Sequence, residues 1–218
     1  QNMGWMKADM GGAAAVTGTM LNVINMGMPL RVFAAIPLAE NMLSGSAYRP
    51  GDIVTTYSGK TVEVDNTDAE GRIILADALT YASEQKPEIM IDLATLTGAC
   101  AVALAEVAAG LFTKDDELAD KLYKSGLETS EFVWRLPMWD HYNRYNKSDV
   151  ADVKNTGGRY GGAITAAKFL EKFVKEEISW AHLDIAAPAI HNNTTSYSKT
   201  WMTGFGVRLL TSFLGDIK

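Results

Sequence analysis

The chain of 218 residues has one cysteine, three histidines, no excess of basic residues and no long apolar run. Each shortage excludes something. Cys100 has no second cysteine to pair with inside the chain and cannot build a thiolate zinc site, so the sequence reads as intracellular, with a cytoplasmic location expected. Any metal must then be held by oxygen or nitrogen ligands, and since His141, His182 and His191 show no HExxH spacing, carboxylates are the expected ligands. His182, inside Trp180-Ala181-His182-Leu183-Asp184, reads as a satisfied core histidine. A net charge of -6 argues against a protein that tracks phosphates along a nucleic acid, which needs a basic face. No apolar run approaches the ~20 residues that cross a bilayer. The longest, residues 93–105, is broken by Thr95, Thr97 and Gly98. The start, Gln1-Asn2-Met3-Gly4-Trp5, has neither an initiator methionine nor the pattern of a signal peptide, and reads as the middle of a longer chain.

Catalytic motifs built on nucleophiles are missing too. No GxSxG elbow occurs, and Cys100 sits in an apolar stretch without a base beside it. The glycine-rich segment Gly11-Gly12-Ala13-Ala14-Ala15-Val16-Thr17-Gly18-Thr19 lacks the lysine of a phosphate-binding loop, so tight helix packing is its better reading and a nucleotide-binding module the weaker one.

What is present is an alternation of helix and strand patterns. Residues 10–26 predict a buried helix entered through Gly11-Gly12, and residues 31–37 a short buried strand ended by Pro37. Two β-branched runs, 53–56 and 61–64, flank Tyr57-Ser58-Gly59-Lys60 and predict a hairpin. Helices are expected over 72–82, 115–126, 162–174 and 207–214, and strands over 89–93 and 178–185. The fold class this implies is α/β, one domain over residues 1–218 with a largely parallel or mixed central sheet. Ligands of such sheets sit in loops beyond the carboxyl ends of strands, and NTDAEGR (66–72) and ATLTG (94–98) are loops of that kind.

In NTDAEGR, Asp68, Glu70 and Arg72 occupy alternate positions, which in an extended segment would turn all three the same way. Carboxylates favour helix starts in any case, so a capping arrangement is the bland alternative. Asp68 and Glu70, with Asp9 brought near by the small residues 11–15, would supply hard oxygen ligands for Zn²⁺, Mn²⁺ or Mg²⁺ and begin a two-metal site. Arg72 beside them would hold an anion or a developing oxyanion.

NTDAEGR with the following Ile73-Ile74-Leu75-Ala76-Asp77-Ala78-Leu79 resembles the signature of the leucyl (cytosol) aminopeptidase family. Lys7-Ala8-Asp9-Met10-Gly11-Gly12-Ala13-Ala14, Asp92-Leu93-Ala94-Thr95-Leu96-Thr97-Gly98-Ala99 and Ser148-Asp149-Val150-Ala151-Asp152 through Asn155-Thr156-Gly157-Gly158-Arg159 agree with it, in the family's order. The resemblance implies a three-layer α/β/α, zinc-peptidase-like catalytic domain, truncated at its N-terminal side. It implies a metallo-aminopeptidase that takes peptides with a free N-terminus and cleaves the first bond by hydroxide attack. Two metal ions are implied at Asp9, Asp68 and the bridging Glu70, with a bicarbonate held by Arg72 and the backbone around Leu96. The pocket for the first side chain carries over to Met6, Thr95, Gly98, Ala186 and Ala189, where Ala189 replaces a methionine of some members and implies a roomier pocket. A homohexamer is implied as well.

The family's metal-binding lysine, bridging aspartate and carbonyl-polarising lysine lie just before the residues that match Gln1 and have no equivalent in this sequence. Lys7 matches a different position. A catalytically dead assembly or binding subunit of the same fold is therefore the alternative expectation.

Overall fold

The computed structural model describes residues 3–190 and 201–217; His191 lies outside the described residues. In chain order the regular elements are α1 (Gly11–Asn25), β1 (Ile53–Thr55), β2 (Thr61–Glu63), α2 (Gly71–Glu84), β3 (Ile89–Ala94), α3 (Gly98–Leu104), β4 (Ala109–Phe112), α4 (Asp116–Thr129), β5 (Val133–Arg135), β6 (Val153–Lys154), α5 (Gly162–Glu171), β7 (Ser179–Asp184) and α6 (Val207–Asp216). Short stretches of 3-10 helix cover Met3–Ala8, Thr67–Ala69 and Asp140–Asn146. The class is α/β, with helices flanking mixed sheets, as the alternation predicts. Two compact units form, one from Gln1–Ala34, Ile91–Leu136 and Trp180–Lys218, the other from Ala35–Met90 and Pro137–Ser179.

The first unit is built around a four-stranded sheet of order β3-β7-β4-β5. β4 runs parallel to β5 and antiparallel to β7. β4 is buried along its whole length, which requires Ala109 and Gly110 to be small and Leu111 and Phe112 to fill the space between the layers. α1 buries a narrow stripe, Gly11, Gly12, Ala15, Thr19 and Val23, at the spacing that keeps residues on one helical face. The stripe works by close approach. A Cβ on Gly12 would lie 2.0 Å from the carbonyl oxygen of Leu93, so only glycine lets α1 come this near β3. Thr19 satisfies its buried hydroxyl by donating to the Ala15 carbonyl at 2.8 Å. α4 starts at Asp115, whose carboxylate accepts from the Leu118 amide, and carries Asp116 and Glu117 in its first turn, where the helix dipole favours them. Glu131, 2 % exposed, accepts from the amides of Gly206 and Leu209 and from Arg208 Nε. A buried carboxylate thus satisfies the open start of α6.

The second unit holds a three-stranded sheet of order β1-β2-β6, antiparallel then parallel. The predicted hairpin is there, with Val54 opposite Val62. α2 buries Arg72, Ala76, Leu79 and Ser83, and α5 buries seven of its ten residues.

Two expectations need correcting. Residues 31–37 form no strand: residues 30–44 have no regular structure, and Phe33 is exposed. Apolar character alone does not supply a ladder partner, and Pro37 removes a donor from the segment. NTDAEGR is also not extended through Arg72. Asn66 is extended, but its side chain accepts from the Asp68 amide and starts a 3-10 turn that runs into α2, with Glu70 already in helical conformation. The alternation rule for Asp68, Glu70 and Arg72 ends where this cap begins.

Candidate functional site

In the second unit the loop between β2 and α2 is set by one side chain, Asn155, which is fully buried. Its Oδ1 accepts from the amides of Asp65 at 2.8 Å and Asn66 at 3.2 Å. Its Nδ2 donates to the carbonyls of Asn66 at 2.7 Å and Ala69 at 3.3 Å. Its own amide donates to Glu63 at 3.0 Å, continuing the β2–β6 ladder. All the hydrogen-bonding capacity of the amide head is spent on the backbone of this loop. Arg72 completes the arrangement by donating from Nη1 to the Asn155 carbonyl at 2.8 Å. Thr156 donates to the Asp65 carboxylate.

Two other carboxylates carried by this loop, those of Asp68 and Glu70, are left available. Asp68 is exposed and Glu70 half-buried, and among the described residues no hydrogen bond or ion pair engages either carboxylate. Two hard anionic groups two positions apart, on a loop held rigid from behind, fit the donor chemistry of a divalent ion. The negative charge of Glu70 is felt by Tyr48. Burial first, and then that charge, raises the Tyr48 phenol above its ordinary range.

In the first unit a second loop, between β3 and α3, is set in the same manner by Asp184, also fully buried. Its Oδ1 accepts from the amides of Leu96 at 3.1 Å, Thr97 at 3.3 Å and Ala186 at 3.2 Å. Its Oδ2 accepts from the Thr97 hydroxyl at 2.6 Å. The Thr97 oxygen in turn accepts from the Cys100 amide at 3.0 Å, which caps α3. Asp184 therefore brings Leu96 and Ala186 to one point. Gly98 follows as the exposed first residue of α3.

Thr95, on the same loop, donates to the Asp9 carboxylate at 2.5 Å. A Cβ on Gly11 would lie 3.1 Å from Thr95 Cγ2 and 3.4 Å from Ala189 Cβ, so Asp9, Thr95 and Ala189 are gathered at the start of α1. The exposed Met6 is tied to Asp9 through the Asp9 amide, which donates to its carbonyl at 2.9 Å. Asp9 belongs to the first unit; Asp68, Glu70 and Arg72 belong to the second. Among the described residues no three His, Cys, Asp or Glu side chains form a cluster that could hold a metal ion.

Cys100 is fully buried. Burial, and after it the charge of Asp184, pushes its thiol up to about 12, so it offers no thiolate nucleophile. His182, also fully buried, lies with Nδ1 2.6 Å from Asp92 Oδ1, while Asp92 Oδ2 accepts from Trp180 Nε1 at 2.7 Å. Phe112 stacks on the imidazole at 5.7 Å. His182 is in the core as expected, and the partner of its Nδ1 is a carboxylate on the neighbouring strand.

Asn155 and Asp184 are the residues that sequence reasoning did not single out. Each had a local signal: Asn155 stands among the residues of the third matching stretch, and Asp184 ends an apolar strand with a charge that burial would make costly without partners.

A family model described as the cytosol aminopeptidase family, catalytic domain, matches residues 1–211. The chain is 59 % identical over 217 residues to a probable cytosol aminopeptidase of Chloroherpeton thalassium, covering 99 % of this chain and 42 % of that protein. It is 56 % identical over 215 residues to a probable cytosol aminopeptidase of Chlorobium limicola, covering 98 % of this chain and 42 % of that protein. The chain thus spans less than half the length of these relatives. Among solved structures, a mutant tomato leucine aminopeptidase superposes with a TM-score of 0.87 at 48 % identity, over 97 % of this chain and 41 % of that one. The bottromycin maturation enzyme BotP in complex with Mn superposes with a TM-score of 0.91 at 45 % identity, over 96 % and 47 %.

Proposed function

The chain belongs to the cytosol aminopeptidase family, and from that premise we propose that it is part of the catalytic machinery of a metal-dependent aminopeptidase that removes N-terminal residues from peptides. The observation that carries this reading is the NTDAEGR loop. Asn155 holds its backbone, Arg72 is anchored to Asn155, and the Asp68 and Glu70 carboxylates remain unengaged among the described residues. A rigid loop that presents free carboxylates is suited to ligation, whereas a capping role would have tied them to backbone amides.

In this proposal Asp9, Asp68 and Glu70 would hold two divalent ions, of which Mn²⁺ is supported by the Mn complex of BotP and Zn²⁺ and Mg²⁺ by ligand type. Such ions, when bound, polarise a carbonyl and lower the pKa of water. The remaining work falls to the chain. Arg72, anchored through Nη1 to the Asn155 carbonyl, would hold a bicarbonate-sized anion that moves the proton. The Leu96 backbone, held by Asp184, would form another wall of that anion site. Met6, Thr95, Gly98, Ala186 and Ala189 would line the pocket for the first side chain. Ala189, small and 2 % exposed, supports acceptance of bulky residues, and faster turnover of Phe-amide than of Ala-amide is the expected result. A cytoplasmic homohexamer, with free-N-terminus peptides as substrates, is the assembly proposed with this reading.

The test is release of leucine from Leu-amide by the full protein that contains this chain, with Mn²⁺ added and with a chelator control. Chelator-sensitive turnover is expected; chelator-resistant turnover would overturn the metal mechanism.

A second reading is a catalytically dead assembly or binding subunit of the same fold. Metal titration separates the two, because a non-catalytic subunit should bind no tight pair of ions.

A further inference from the structure

In the second unit a cavity of about 150 Å³ is lined by Lys60, Asp152, Val153 and Lys172. The three charged residues meet very different fates. The Asp152 Oδ2 atom accepts from both the amide and the hydroxyl of Thr61, each at 2.8 Å. Lys60 is fixed by donating to the backbone carbonyl of Lys172 and lies 5.5 Å from the centre of the Phe173 ring. An ammonium has three donors, so Lys60 keeps two to spend. Lys172 is half-buried, and among the described residues no hydrogen bond or ion pair engages its amine. Its neighbour on the helix side, Lys168, is fully buried and already paired with Asp140 at 2.9 Å and with Glu171.

We propose that Lys172 is a covalent modification site, a nucleophilic amine that takes up carbon dioxide to form a carbamate, with the Lys60 ammonium as the partner of the new negative charge. In the step the amine lone pair attacks the carbon of CO₂, an N–C bond forms as one C=O π pair moves onto oxygen, and the nitrogen proton leaves to solvent. The amine becomes –NH–COO⁻ plus one released H⁺, and no oxidant or second reactant is needed.

Charge selects this electrophile over others. An amine held close to other cations and partly out of water is the kind of lysine that acts as a nucleophile. Burial, followed by the charges of Lys168 and Lys60, holds the Lys172 ammonium below the usual lysine range, with Glu171 acting against them. An imine formed with an aldehyde would keep a positive charge beside those two lysines, and an acyl group would leave none. A carbamate turns the repulsion into attraction, with Asp152, its carboxylate held by the amide and hydroxyl of Thr61, the one lining group that opposes it. The cavity, about 150 Å³, has room for the heavy atoms that a carbamate adds to the amine. This site lies on residues that the aminopeptidase reading does not use.

The experiment equilibrates the purified protein with ¹³C-labelled bicarbonate and CO₂ near neutral pH, traps carbamates as their ethyl esters with triethyloxonium, and maps the label by peptide mass spectrometry. Label concentrated on the peptide containing Lys172 is expected. It should vanish in Lys172→Arg, which keeps the charge without a nucleophilic amine, and fall several-fold in Lys60→Met, which removes the counter-charge at an exposed position. Label spread evenly over exposed lysines, or unchanged in Lys60→Met, would overturn the proposal. Circular dichroism of both variants, with spectra matching the parent, ties any loss of label to chemistry at the site.

Discussion

Arg72 donates from its guanidinium to the backbone carbonyl of Asn155 at 2.8 Å, across 83 residues of chain. The same asparagine binds the backbone on the near side of Arg72 at four points. The loop that carries Asp68 and Glu70 is therefore clamped to β6 on one side and to the first turn of α2 on the other.

Asn155→Ala removes the four side-chain bonds and leaves buried amides and carbonyls without partners. A destabilisation of about 2–4 kcal/mol is expected, measured by denaturant unfolding. Activity should fall with it even under conditions where the variant remains folded, because the carboxylates lose their fixed spacing.

Asp68→Asn and Glu70→Gln change charge with little change in shape. Stability should move by less than about 0.5 kcal/mol, since neither carboxylate has a bonding partner among the described residues and such sites are tolerant. Mn²⁺-dependent hydrolysis of Leu-amide by the full protein should drop by about 100-fold or more, as loss of a directly ligating carboxylate exceeds the loss of an outer partner. Wild-type turnover in either variant would remove that residue from the ligand set.

Gly12→Ala would place a methyl 2.0 Å from the Leu93 carbonyl oxygen. Backbone is not a flexible neighbour, so α1 must move away from β3, at a cost of about 3 kcal/mol or more. Gly27→Ala is not an equivalent control, because its φ of +58° brings strain of its own; Gly4→Ala, with open space around it, should leave the denaturation midpoint in place.

Cys100 supplies a pH test. Its thiol ordinarily ionises near 9 and is pushed to about 12 here by burial and by Asp184. Between those values the unfolded chain loses a proton that the folded chain keeps. The stability this group contributes is present below about pH 9 and is lost as pH rises toward about 12. Thiol labelling at about pH 8 should be negligible in the native protein and rapid after unfolding; fast native labelling would show that Cys100 is accessible.

Much of the fold is legible locally. The helix at 207–214 and the strand at 178–185 carry their own periodicity, and the hairpin at 53–64 announces itself through β-branched runs and Gly59. β4 and β5 were not legible, because Ala109-Gly110-Leu111-Phe112 and Val133-Trp134-Arg135 are too short to show a period, and only their ladders with each other and with β7 make them strands. The apolar run at 31–37 misled for the converse reason: it has the composition of a buried strand without a partner to pair with.

By itself the sequence narrowed the candidate chemistry to carboxylates with Arg72 beside them rather than thiols or histidines, and indicated which segments coil or extend, since both follow from side chains within a few positions of each other. Only the tertiary structure decided that the loop bearing Asp68 and Glu70 is held by Asn155, and the loop bearing Thr95 and Leu96 by Asp184. The physical reason is range. Asn155 and Asp184 satisfy backbone groups up to 90 and 88 residues away, and a buried amide or carboxylate finds those partners only once the strands that carry it have folded beside them.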